Sequence, residues 1–363
     1  MKTYRLYFID IVRAFAILMM LQGHFIDTLI DPIYKDSNFI AFRIWSYFRG
    51  ITAPTFFTIS GLIFTYLLLK ANEKKQEQTR IKKGLRRGFS LLGIGYLLRM
   101  PFLGWINGYF STYFLAIDVL QIIGLSLILI ILVYILCFKK TYLVLITTLF
   151  ISLIIFITEP WYRDLSIEWL PLFINNFFSK INGSVFTLLP WFGFVSFGAF
   201  IATLFYLNQQ KKIFKEVAIA TFISLGIFLI LYSSSVLVFL SNLFKIELFL
   251  AAANYNYLFT RLGNVLLYFA LFYSLEKYLK HHLILKIGQN TLSIYIIHFI
   301  IIYGSFTGIG LKHFFEKKLT PTTVIIGAVL FLFVVCLLSF LYNKKKVFIF
   351  NKIGDVLKNL RLK

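Results

Sequence analysis

The residues best suited to chemistry in this sequence fall in one stretch, 5–27, where Asp10, Arg13, His24 and Asp27 punctuate an apolar run from Ile11 to Leu21. On a helix, Arg13 and His24 share a face about 16 Å apart along the axis, and Asp10 and Asp27 fall within about 60° of that line. An imidazole can take a proton near neutral pH, and a carboxylate three residues on can hold its other ring nitrogen, so His24 with Asp27 reads as a general base and its orienting acid. Arg13 beside Asp10 reads as an anion-binding end. Each such charge costs about 2.5 to 3.5 kcal/mol at a bilayer centre, so the stripe must face a protein interior or a wet cavity.

Other polar groups interrupt other apolar runs. Ser60 follows Thr52 and Thr55 in a segment with Gly50, Pro54 and Gly61, where hydroxyls commonly bond their own helix backbone. Arg99 needs a partner from another helix, and Asp118, just before Gln121, is the first candidate. Such a pair either pins two helices or orients a substrate or His24. Asn290, Thr291, Tyr295 and His298 recur at helical spacing, with Asn290 and His298 close to one face. Arg99, Asn290, Tyr295, His298 and Gln121 are thus the candidates for the substrate and oxyanion side. Lys82, Lys83, Arg86 and Arg87 form a basic cluster suited to phosphates, or simply to fixing orientation.

The elements that must carry these groups are membrane helices. The chain of 363 residues is 59% hydrophobic with 43 Phe, which excludes a soluble globular domain. Apolar runs of about 20 residues place roughly ten spans near 10–30, 46–69, 88–107, 114–137, 141–158, 184–206, 215–240, 258–278, 285–305 and 322–342. The expected fold is all-α, a single polytopic bundle occupying 1–363. The segments 159–183, with Trp161, Glu168 and Trp169, and 241–257 read as outer loops. The net charge of +22 sits in short clusters between spans, which points to membrane orientation and away from nucleic acid. About 25 basic residues, from Lys2 and Arg5 to the tail beyond Lys344, fall on one side and about eight on the other, so both termini are expected in the cytoplasm. The first span lacks a small-residue cleavage site and reads as retained. Cys137 and Cys336 lie in separate apolar runs without metal-like spacing, so neither disulfide nor metal is expected.

The order Ile9-Asp-Ile-Val-Arg13, Ile59-Ser-Gly-Leu62, a basic run, Val119-Leu-Gln-Ile-Ile-Gly124, Leu189-Pro-Trp-Phe-Gly193 and Asn290-Thr-Leu-Ser-Ile-Tyr-Ile-Ile-His298 resembles the bacterial branch of the heparan-α-glucosaminide N-acetyltransferase family. The spacing of Arg13 and His24 also resembles the first helix of acyltransferase-3 proteins, although the usual Arg-Gly pair is Arg13-Ala14 here. The resemblance implies acetyl transfer from cytoplasmic acetyl-CoA to a sugar or lipid-linked sugar, at an amine or hydroxyl, outside a bacterial inner membrane. It implies His24 as catalyst and Arg13 at the acyl-CoA end. Membrane lipids are the expected surroundings, and homodimerisation is left open. The alternative is a transporter or exporter of an anionic or lipid-linked substrate whose pathway the same stripe lines.

Overall fold

Helix α1 (Tyr7–Leu29) packs against α2 (Ile40–Glu73), α8 (Tyr257–Ser274), α9 (His282–Gln289), α10 (Thr291–Tyr303) and α11 (Pro321–Arg361), which places the charged stripe inside the bundle. The computed structural model describes residues 6–167 and 169–361. Lys2, Arg5, Glu168 and the basic side chains of the tail past Lys346 lie outside the described residues. The start of α1 is anchored by the Phe8 amide, which donates to the Glu276 carboxylate at 3.0 Å, a favourable charge at a helix N-terminus. It ends at Ile30, where the chain turns extended ahead of Pro32.

Helix α6 (Leu188–Asn208) is wedged between α2 and α5 (Thr141–Ile157), with 78% of its apolar window buried. Glycines make this approach possible. A Cβ on Gly61 would overlap the Val195 carbonyl, and one on Gly198 would overlap the Thr58 carbonyl. Small residues at such contacts let membrane helices gain dispersion energy that lipid cannot supply. Helices α3 (Glu77–Arg99) and α4 (Val119–Leu136) form a second pair, and α7 (Phe214–Phe244) packs on α8. The apolar windows of α7 and α11 are only 17% and 28% buried, so their outer faces suit lipid.

A helix lies in each of the ten expected stretches, and fewer than ten of these helices are by themselves long and apolar enough to count as spans. Six helices among the described residues are long and apolar enough to cross a membrane, with a seventh if α9 and α10 form one broken span. The third expected span, 88–107, is instead 77–99: it opens with polar turns and stops at Met100, held extended before Pro101. The ninth, 285–305, bends by 71° at Asn290. Helix α9 can lie this way because Gly288 rests on the Asp10 carbonyl of α1, where a Cβ would overlap.

Candidate active site

Four adjoining cavities follow the stripe of α1. A vestibule of about 550 Å³ is lined by Asp10, Arg13, Lys70 and Lys74. Arg13 also lines the next cavity, about 120 Å³, with Ser60, Arg80, Arg87, Thr291 and Tyr295. That cavity shares Met20, Phe56, Val119 and Tyr295 with a third, about 350 Å³, which contains His24, Arg49, Asp118 and Arg261. The fourth, about 390 Å³, shares His24, Arg49 and Asp118 with the third and adds Asp27, Arg99, Tyr113 and Tyr303.

At the Arg13 end, the guanidinium donates to the Thr291 hydroxyl at 2.6 Å and lies 3.8 Å from Asp10. Gln289 also reaches Asp10, at 3.4 Å. Arg80 enters the same cavity with a buried Nε that has no hydrogen-bond partner among the described residues. Three guanidiniums with one nearby carboxylate make a site for a multiply charged anion such as a phosphate. Ser60 lines it too, with its hydroxyl donating to the Phe56 carbonyl at 2.8 Å. Arg86 sits on the exposed side of α3 and does not join Arg87 in this cavity.

At the other end, His24 Nδ1 stands 3.2 Å from the Tyr303 hydroxyl, which is 3.5 Å from the Thr28 hydroxyl. The expected His24–Asp27 contact is therefore corrected. Asp27 pairs with Arg49 of α2 and, at 3.4 Å, with Lys35. Two cations hold a carboxylate more strongly at low dielectric than a neutral imidazole does. His298 is fully buried, neither ring nitrogen has a hydrogen-bond partner among the described residues, and its ring meets His24 edge to face at 5.2 Å.

Arg99 donates to Asp118 at 2.7 Å, the two side chains only 5% and 9% exposed, and the guanidinium lies over Tyr113 and Phe299. Asp118 also caps α4: it accepts from the Val119 amide at 2.7 Å while Gln121 accepts from the Asp118 amide at 3.2 Å, a capping box. Gln121 is thus a structural residue against Gly95, not a lining one. Asn290 is likewise corrected as an oxyanion donor. Its amide donates to the Lys286 carbonyl at 2.7 Å, and the bend breaks its register with His298. Tyr295 remains, buried between the second and third cavities.

Sequence reasoning missed Arg49, Arg80, Arg261 and Tyr303 as site residues. The signal for Arg49 was a lone arginine at the mouth of an apolar run, directly before Gly50.

These elements define an all-α polytopic membrane protein with a line of charged cavities inside its bundle. The chain belongs to the heparan-alpha-glucosaminide N-acetyltransferase catalytic family, a family of membrane acetyltransferases, which matches residues 5–244. No curated protein matches the chain. The match covers α1 to α7 and both Arg13 and His24, while Arg261, Thr291, Tyr295, His298 and Tyr303 lie beyond it.

Proposed function

We propose that this chain moves an acetyl group from acetyl-CoA on one side of the membrane to an amine or hydroxyl of a sugar-like acceptor on the other. The observation that carries the reading is the succession of cavities that leads from Arg13, Arg80 and Arg87 to His24. The guanidiniums and the vestibule lysines hold the phosphates of the donor, and the narrow second cavity admits its thioester arm. The positive-inside distribution of charge supports a cytoplasmic position for this end and for both termini, with His24 in the outer half, and the resemblance to bacterial members supports a bacterial inner membrane.

His24 acts as the base. With the Tyr303 proton directed to Thr28, the Tyr303 oxygen accepts from Nδ1–H, which leaves the Nε2 lone pair free. The acceptor nitrogen or oxygen forms a bond to the acetyl carbonyl carbon, the carbon–sulfur bond breaks, and the acceptor proton passes to Nε2 and on to the departing thiolate. Tyr295 and Arg99, which line the two cavities that contain His24, are the donors proposed for the negative charge that develops on the carbonyl oxygen. The likeness of Arg13 and His24 to the first helix of acyltransferase-3 proteins supports their roles in donor binding and catalysis.

The test is transfer of labelled acetyl from acetyl-CoA to amino sugars by the purified protein, beside His24→Ala. Loss of turnover in the variant with retained acetyl-CoA binding is expected. Undiminished turnover removes His24 from the chemistry, and the absence of any transfer removes the reading.

A further inference from the structure

A groove of about 430 Å³ lies on the flank of the bundle between α1, α2, α8 and α11, separate from the line of cavities yet touching it. Its lining includes Phe15, Leu18, Met19, Trp45, Phe48 and Tyr268. It runs from a clasp in which the Trp45 indole donates to Gln22 at 2.7 Å, down to Phe15, about 10 Å deeper along α1. Thr52 forms the wall shared with the cavity of His24, and its hydroxyl, on a residue 8% exposed, has no hydrogen-bond partner among the described residues.

Across that wall stands Arg261. Its guanidinium donates to the Gly50 carbonyl at 2.7 Å and lies over Tyr257, and no carboxylate among the described residues pairs with it. In the same cavity Arg49 is matched by Asp27, and Asp118 by Arg99. Arg261 therefore leaves the chamber with a surplus positive charge near the start of α8, where it is placed to meet an anion. Arg261 and Tyr268 are seven residues apart on one face of α8, so a single helix face lines both the charged chamber and the apolar groove.

We propose that the acceptor is a lipid-linked phosphate: its hydrocarbon chain occupies the flank groove, its phosphate rests on Arg261, and its sugar reaches His24. The proposal rests on the acetyl-transfer reading and names the substrate class of that same site. The groove supplies apolar surface at membrane depth, where a lipid arrives laterally, and the surplus charge supplies the anion contact that a neutral glycolipid would leave unused. Thr52 offers a donor at the junction between chain and head group.

The purified protein is given acetyl-CoA and three acceptors with the same amino sugar: glucosaminyl decyl phosphate, glucosaminyl methyl phosphate and neutral decyl glucosaminide. The decyl phosphate is expected to show a KM at least tenfold below the methyl phosphate. Met19→Trp and Leu332→Trp, which fill the groove, bring that ratio towards one. Arg261→Gln removes the preference for decyl phosphate over decyl glucosaminide. Equal KM values for the two phosphates, or groove variants that leave the ratio intact, overturn the proposal. Transfer to none of the three counts against the acetyl-transfer reading itself, and the groove is then judged by photolabelling with a diazirine-bearing decyl phosphate. Labels on α1, α2 and α8 at the groove uphold the lipid site. Labels spread over the lipid face of α7, or equal labelling by a diazirine phosphatidylcholine, overturn it.

Discussion

The imidazoles of His24 and His298 meet edge to face with ring centres 5.2 Å apart, yet the hydrogen-bond partner of the His24 ring is the Tyr303 hydroxyl. His24 lines two of the four cavities and His298, fully buried, lines none of the four, so their losses differ in size. His24→Ala is expected to lower kcat at least about a hundredfold, the scale of general-base catalysis. His298→Phe, which keeps a ring in place, lowers it less than about tenfold. Acetyl transfer measured under saturating acetyl-CoA separates the two.

Tyr303→Phe removes the group that fixes the His24 tautomer without opening a cavity. The expected outcome is a fall in kcat of about tenfold or more with little change in the KM for acetyl-CoA. The pH profile of kcat changes with it, which a packing defect alone would not cause.

Arg13 holds Thr291 at 2.6 Å at the opposite end of the stripe. Arg13→Gln and Arg80→Gln each remove a charge-assisted contact worth about 1.5 to 3 kcal/mol, so the affinity for acetyl-CoA falls roughly tenfold or more. Arg86→Gln, on the exposed side of α3, leaves it within about twofold. Thermal stabilisation by added CoA reads this directly.

The Arg99–Asp118 pair is almost fully enclosed. Asp118→Ala strips the cap of α4 and strands a buried guanidinium, at a cost of about 3 to 5 kcal/mol. Asp118→Asn combined with Arg99→Met retains a capping side chain without the charges and recovers most of that stability. Melting in detergent measures the recovery, and transfer assays on the recovered protein show whether the pair also serves the reaction.

Gly61→Ala and Gly198→Ala push α2 and α6 apart against backbone carbonyls that cannot rotate away. Each is expected to destabilise by about 1 to 3 kcal/mol or more. Gly93→Ala meets open space and is expected to stabilise by up to about 1 kcal/mol through helix propensity alone. Opposite shifts in Tm for these exposed and packed glycines check the packing.

The helical class and the stripe were legible because apolar runs and their charged interruptions need no partner to be seen. Arg99 and Asp118 were legible as a pair because two buried opposite charges close in sequence have few alternatives. Asp27 was misassigned because its competitor Arg49 belongs to another helix, and local spacing carries no record of it. Asn290 was misassigned for a related reason. The sequence 285–305 keeps a continuous apolar character through a bend that is made possible by the seat of Gly288 on α1. Tyr303 and Arg261 stood at helix ends, where aromatic and basic residues are ordinary interface anchors, and only their neighbours distinguish them.

Helix α10 touches α1 at both extremities, with Thr291 on Arg13 and Tyr303 on His24. The two helices run as parallel staves joined by a rung at each end. A slide of one along the other would strain both rungs together, so whatever shifts the arginine rung is felt at the histidine rung without any long-range relay through the rest of the bundle.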